Sequence, residues 1–509
     1  MAVPSSPSAL RALAQLTFVL WLLFAPEPAR AQHEADNWYF GQWAGFVFGP
    51  SGPTPVLDGQ LTTEFACAVA SDPVTGQLLF YTNAERVWNR EHKVMPHGDS
   101  LRGTFFVNQG ALLVPAPGRV RRYYLFTLRQ PVQDKACALS YSVVDAELDA
   151  GRGDVVTGEK NVPLAGGLTM KLTAVPHANG RDYWVLAHRW GTAEFLVYPV
   201  TAQGVGAARR QAIGPAHPVQ PADTTGDKGL RGFLQASPDG RHLACAVSFG
   251  VEPFALFDFD AATGTLSHYV NLGALLDGYG VCFSPDNTKL YVQNFTRLPA
   301  GIDSNVLSQY DLAAGDYTAV AASGRSVVAG NPGTNVSSTT GGGVYYALQN
   351  GPDGRMYGAS AYYNRALPSG NGLQTLFVIG RPNALGFACA LRAERFPAFA
   401  DRAVFGGLPN FIQNVFNGRE PAEAPACAPG PAALYPNPCA EACYVQLGDA
   451  CGQPYALALY DALGRRVAGF ARTGAPDEPP FPVAGLAPGL YLAELRFARQ
   501  VRYHKLVKQ

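Results

Sequence analysis

Short apolar runs alternate with turns rich in Pro, Asp, Asn and Gly along most of this chain. The clearest case is S-P-D-G-R-H-L-A-C-A-V at Ser237 to Val247. It returns as S-P-D-N-T-K-L-Y-V from Ser284 and as G-P-D-G-R-M-Y-G-A from Gly351. Looser copies start at Ser71, Pro115 and Pro176. Pro presets φ at the first corner of such a turn, and Gly or Asn tolerates the left-handed one. Two apolar runs joined by this turn predict a β-hairpin.

A second hairpin follows the first in several copies. Leu256 to Leu266 reads L-F-D-F-D-A-A-T-G-T-L, and Ser308 to Tyr317 reads S-Q-Y-D-L-A-A-G-D-Y. Phe195 onward and Leu139 onward carry looser forms. Two hairpins in series make four antiparallel strands, and four strands repeated along a chain predict propeller blades. The turn positions Gly76, Gly118, Gly180, Gly240, Asn287 and Gly354 are spaced by 42, 62, 60, 47 and 67 residues. A propeller unit takes about 40 to 50 residues, so the longer spacings carry loop insertions. Asn37 to Phe48 and Gly406 to Phe416 read as strands without a hairpin of this kind. A blade shared between them closes the ring and removes open edges. The expected fold is all-β: a β-propeller of seven blades, with six as the alternative, over residues 37–416.

Three further segments frame the propeller. Met1 to Ala31 has one positive charge at Arg11, an apolar core from Leu13 to Phe24 and an A-R-A cleavage site, the pattern of a secretory signal peptide. Its apolar run is short of the roughly 20 residues needed to span a bilayer, and no later stretch is long and apolar enough. Residues 417–433 have no apolar periodicity and are rich in Pro and Gly, as a linker is. Residues 434–509 hold at least five short strand patterns, including Tyr444 to Leu447, Ala456 to Asp461 and Gly489 to Leu495, and predict a small immunoglobulin-like sandwich.

This last module resembles the type IX (Por) secretion sorting domain of Bacteroidetes proteins. The matching pieces are Y-P-N-P at Tyr435 to Pro438, L-Y-D-A-L-G-R-R-V at Leu459 to Val467, L-A-P-G-L-Y at Leu486 to Tyr491 and K-L-V-K at Lys505 to Lys508. The resemblance implies export through the periplasm and across the outer membrane, with the secretion machinery as partner. It places the mature protein in the medium or on the cell surface. The propeller is similar to a WD40- or YVTN-like group that often precedes such domains. N-W-Y-F-G at Asn37 to Gly41, L-L-F-Y-T-N-A-E-R-V-W-N-R at Leu78 to Arg90 and G-L-P-N-F at Gly407 to Phe411 are its marks. That group lends no activity to these residues.

Charge and cysteine content narrow the partners. Lys plus Arg and Asp plus Glu are both 39, so no net field draws the chain to nucleic acid or anionic lipid. Of nine cysteines, Cys67, Cys137, Cys245, Cys282 and Cys389 are scattered through the repeats; Cys245 and Cys282 lie in apolar strand runs, which makes buried thiols of them. Cys427, Cys439, Cys443 and Cys451 crowd near the C-terminus. Four cysteines allow three pairings; C-x-x-x-C spacing and an export signal favour disulfide over zinc.

No G-x-S-x-G, H-E-x-x-H or P-loop is present. His92 and His97 share no helix or strand face and read as surface loop residues. His177 and His188 bracket one hairpin, where a simple turn is a better reading than a rim pocket lined by both, and Asp258 and Asp260 face one side of a strand without a D-x-D-x-D-G calcium loop. No catalytic, cofactor-binding or metal-ligating residue is assigned from sequence, and no cofactor is expected. The expected function is a secreted or surface propeller that binds protein or glycan through its loop face or channel mouth. The alternative is a glycan lyase or hydrolase with acid and base residues at that mouth.

Overall fold

The computed structural model describes residues 33–50, 52–131, 135–218, 229–248, 254–273, 278–297, 303–327, 344–361, 375–399, 402–421, 432–435, 437–447, 455–472, 480–496 and 501–509. The signal-peptide stretch, most of the linker, Cys427 and Cys451 lie outside them.

Seven antiparallel units follow one another along residues 37–395. The first has three strands, Asn37–Phe40, Ala44–Gly49 and Gly52–Val56, and the second also has three, between Ala68 and Asn89. The third and fourth share a long strand, Val162–Pro176. Its first half pairs with Cys137–Asp145 of the third unit and its second half with Tyr183–Arg189 of the fourth. The fifth, sixth and seventh are four-stranded sheets starting at Leu234, Gly278 and Val344. First strands of successive units lie side by side, from Ala68–Ser71 round to Val344–Asn350. These inner strands are buried on both faces, as in Ala68–Ser71 and Gly278–Phe283. Burial on both faces explains why the sequence shows continuous apolar runs there instead of alternation. Apolar clusters fill the spaces between neighbouring units, for example Leu79, Leu113 and Leu125 between the second and third, and Leu186, Phe195 and Phe257 between the fourth and fifth.

All six turn positions sit between the first and second strands of the second to seventh units. Their φ values are +70° at Gly76, +74° at Gly118, +70° at Gly180, +72° at Gly240, +63° at Asn287 and +75° at Gly354. The Ser and Asp of the S-P-D motif explain its recurrence. Ser237 Oγ donates to Asp239 Oδ1 and accepts from His242 N at 2.9 Å; Ser284 Oγ repeats both contacts with Asp286 and Lys289 N. Neighbouring turns also touch: Asp239 N donates to Asn287 Oδ1 at 2.9 Å.

Ring closure departs from the sequence reading. Gln42 N donates to Ala403 O at 2.8 Å, so residues near Ala403 meet the first unit. Gly406 to Phe416, expected as a strand, forms none; only a single 3₁₀ turn, Gln413–Phe416, is regular. The segment instead crosses the ring of inner strands. Ala347 N of the seventh unit donates to Gly406 O, and Asn410 N donates to Cys67 O beside the second. The Asn410 carboxamide donates to Ala111 O and Leu172 O of the third and fourth. Pro409 cannot join a ladder. A Cβ on Gly407 would stand 2.0 Å from Phe65 O, so only glycine passes there. The G-L-P-N-F mark is therefore an axial plug.

The C-terminal module is a two-sheet sandwich. One sheet orders Ala432–Tyr435, Ala442–Leu447 and Phe481–Pro482; the other orders Arg466–Arg472, Tyr455–Tyr460, Gly489–Arg496 and Val501–Lys508. Leu457, Leu459, Phe481, Val483, Leu495 and Leu506 fill the space between them.

Candidate functional site

Two histidines and a tyrosine gather round one carboxylate where the fifth unit meets the sixth. Asp258 lies on Phe254–Asp260, directly across from His242 on the neighbouring strand. The next strand, Thr265–Asn271, skips register beside Asp258, and His268 occupies that bulge at φ +50°. A non-glycine residue held left-handed at a bulge re-aims its side chain. Here the His268 Nδ1 comes within 2.7 Å of Asp258 Oδ2 while most of the ring stays in solvent. Tyr317 opens the short helix Tyr317–Ala322, whose first turn is capped by Asp316 accepting from Ala319 N. Its hydroxyl donates to Asp258 Oδ1. His242 Nδ1 lies 3.1 Å from the same oxygen but off the hydrogen-bonding direction, leaving that nitrogen unsatisfied.

A cavity of about 360 Å³ opens beside this cluster, lined by His242, Leu256, Leu312, Asp316, Tyr317 and Val320. Burial and then the Asp258 carboxylate push the Tyr317 phenol up to about 12, so it stays a donor at any physiological pH. An Asp fixing His268 through Nδ1 leaves Nε2 turned away from the carboxylate. The cavity lining thus combines the His242 imidazole, the Tyr317 phenol and the Asp316 carboxylate with the aliphatic side chains of Leu256, Leu312 and Val320.

The other residues raised by the sequence go elsewhere. Asp260 accepts from Ala262 N and Thr263 Oγ1, closing its own hairpin turn. His97 Nδ1 meets Asp154 Oδ2 at 2.7 Å. His92 is no simple surface residue: at φ +61° it bridges the Tyr81 hydroxyl and Asp58. His177 stacks on Trp184 beside the turn it opens.

His188 does not reach a rim. It is buried and stacks on His217 with ring centroids 3.6 Å apart, and His217 Nε2 lies 3.9 Å from Cys245 Sγ. Lys171, fully buried nearby, donates to Leu230 O and Arg231 O. Burial pulls its amine down to about 8 and holds His188 down at about 3, with His217 also well below the usual range. Sequence reasoning passed over Lys171, His217, His242, His268 and Tyr317. A lysine inside T-M-K-L-T-A-V, an otherwise apolar strand, was the one available signal. Among the described residues, no three His, Cys, Asp or Glu side chains converge as metal ligands.

The sandwich carries its own geometry. The last strand, Val501–Lys508, pairs along one side with Gly489–Arg496. On its other side the Asn437 carboxamide acts as a strand would, donating to Lys505 O at 2.7 Å and accepting from Val507 N at 2.9 Å. Cys439 N then donates to Val507 O, and Gln509 N to Cys439 O. The Y-P-N-P and K-L-V-K motifs, 68 residues apart, are thus one hydrogen-bonded edge. Residues 433–509 match the family described as the secretion system C-terminal sorting domain.

The chain ends in a sorting domain. It is exported by the type IX secretion system to the cell surface or the medium. Among the described residues, no helix is long and apolar enough to cross a membrane. No curated protein matches the chain. Among solved structures it is similar to PorZ, a surface component of the type-IX secretion system of Porphyromonas gingivalis. That likeness has 10% identity and a TM-score of 0.30, covering 92% of this chain and 68% of the other. It is also similar to an exo-β-1,3-galactanase of Phanerochaete chrysosporium, with 12% identity and a TM-score of 0.32 over 82% and 96% of the two chains. A chain of the mitotic checkpoint complex gives 9%, 0.35, 71% and 96%. Likeness this slight carries no functional argument.

Proposed function

We propose that the exported chain is a glycan-binding propeller whose ligand sits in the cavity beside Asp258, and that the sorting domain serves its delivery alone. The domain plan that goes with this is a leader over residues 1–31, a WD40-like propeller over 37–416, a linker and an immunoglobulin-like sorting domain from 434. The observation that carries the binding role is the cavity itself. A volume near 360 Å³ suits one or two sugar rings. Leu256, Leu312 and Val320 suit the apolar face of a pyranose, and Tyr317, His242 and Asp316 suit its hydroxyls. The side chains stand on sheet strands and a capped helix, so little ordering accompanies binding.

The test is a glycan array with the exported propeller, followed by calorimetry on any hit. Tyr317→Phe and Asp258→Ala are expected to weaken binding by about tenfold or more, since each breaks the hydrogen bond from the Tyr317 hydroxyl to Asp258 that fixes the rim. An array without hits, or hits insensitive to both changes, overturns the proposal. A second reading rests on the Asp258–His268 pair, which is built as a general base is built. Under it, glycans that bind are also cleaved, and His268→Gln abolishes turnover while sparing affinity.

A further inference from the structure

We propose that Cys439 and Cys443 close a disulfide after export, and that this bond staples the last strand of the sorting domain in place. Sequence alone left three pairings open among four cysteines. The fold brings two of them together: the thiols of Cys439 and Cys443 are hydrogen-bonded neighbours, both buried in the core of the sandwich. They belong to different sheets. Cys443 lies on Ala442–Leu447, paired with Phe481 of the three-stranded sheet. Cys439 sits against Lys508 at the edge of the four-stranded sheet, exchanging backbone hydrogen bonds with Val507 and Gln509.

Two buried thiols can also be mere core filling. Compartment and position argue otherwise. The chain passes out of the reducing cytoplasm, where thiols persist, into an oxidising space, where adjacent thiols pair. A 77-residue sandwich has a small core and gains most from a crosslink. Among the described residues, no third ligand completes a metal site beside the pair.

The chemistry is thiol–disulfide exchange with an exported dithiol–disulfide oxidoreductase in its oxidised form. One cysteine thiolate attacks that enzyme's disulfide, forming a mixed disulfide and expelling one enzyme thiolate. The second cysteine thiolate attacks the mixed sulfur on its own chain and expels the other. The Cys439–Cys443 bond forms, and the two electrons and the two protons that the cysteines gave up end on the enzyme as its dithiol. Burial and then the neighbouring Cys439 sulfur push the Cys443 thiol up to about 12, so the exchange runs before the sandwich closes over it.

The consequence falls on the C-terminal strand. Asn437 and Cys439 together cover the outer edge of Lys505–Gln509. A bond from Cys439 to the opposite sheet fixes that cover, so fraying of the strand is suppressed.

The test uses the full chain exported to the periplasm of a disulfide-forming host. It is alkylated in denaturant without reductant and mapped by mass. The expected result is that Cys439 and Cys443 are unalkylated and joined in one peptide two hydrogens lighter than its reduced form. Alkylation of both, or a bond from either to Cys427 or Cys451, overturns the pairing. The staple is read separately with carboxypeptidase at native pH. Reduction, or Cys439→Ser with Cys443→Ser, is expected to speed release of Gln509 and Lys508 by about tenfold. The doubly substituted chain keeps the Asn437 contacts, and circular dichroism reports whether it folds. A mapped disulfide with unchanged release overturns the staple.

Discussion

The propeller is held by different means at its rim and at its axis. At the rim, each hairpin turn is made from residues a few positions apart. Ser237 bonds Asp239 and His242, and Ser284 bonds Asp286 and Lys289. At the axis, carboxamides bridge units far apart in sequence. Gln109 donates to Leu234 O and accepts from Leu172 N and Leu234 N, joining the third, fourth and fifth units. Asn108 reaches the Tyr279 hydroxyl of the sixth at 2.7 Å, and Gln413 reaches Gln349 of the seventh. A local turn shapes one hairpin and can be lost singly. An axial side chain satisfies backbone groups of several units at once, so its loss is felt by the whole ring.

The largest effect is therefore expected at Gln109. Replacement by Ala leaves three buried backbone groups without partners, a loss of about 3 to 5 kcal/mol. Urea unfolding of the propeller measures it. A loss no greater than that of a turn substitution would erase the contrast between axis and rim.

Acid provides the next test. His188 and His217 are buried, and burial holds both below the unfolded value near 6.5, His188 at about 3. Below pH 6.5 the unfolded chain binds protons that the folded chain refuses. Stability that is complete above that pH is lost as pH falls. For His188 alone the loss reaches about 2 kcal/mol by pH 5, from roughly 1.4 kcal/mol per pH unit. Urea midpoints at pH 7.5 and pH 5.0 should separate accordingly, and His217→Phe should narrow the gap. Equal midpoints would mean that water reaches the pair.

The same contrast explains what was legible in advance. The rim turns were readable because Pro, Asp and Gly encode them within a handful of residues. The sorting domain was readable because its motifs are short and ordered. The axis was not: Gln109 and Asn410 look like any polar residue beside a strand until distant inner strands are set next to them. Gly406 to Phe416 carried a strand-like pattern, and Pro409 with Gly407 turned it into a plug. The candidate site was half legible. Asp258 was noticed as a strand residue, but its partners His242, His268 and Tyr317 come from three other elements, and a register shift aims one of them.

Gly240→Val tests the rim directly. Gly240 sits at φ +72°, and a new Cβ would stand 3.0 Å from Val175 Cγ1. A β-branched residue held left-handed costs about 1 to 2 kcal/mol. The unfolding midpoint should fall by that amount, clearly less than for Gln109→Ala.

The smallest effect is expected at the one rim turn that uses asparagine. Asn287 occupies the left-handed corner at φ +63°, where glycine fills the other five. Asn287→Gly removes a backbone penalty of somewhat under 1 kcal/mol, because asparagine tolerates this region better than most residues. It also removes two bonds: Asp239 N loses its acceptor Oδ1, and Asn417 Oδ1 loses its donor Nδ2. Both bonds lie at a partly exposed surface, where water substitutes and each is worth about 0.5 to 1 kcal/mol. Gain and loss nearly cancel, so the net change should stay within about 1 kcal/mol of zero. Asn287→Ala separates the two contributions, since it loses the bonds and keeps the backbone penalty; it should be the less stable of the pair. If Asn287→Gly instead costs as much as Gln109→Ala, the link between the turns of the fifth and sixth units closes the ring as the axis does, and the division between local rim and shared axis fails at that point.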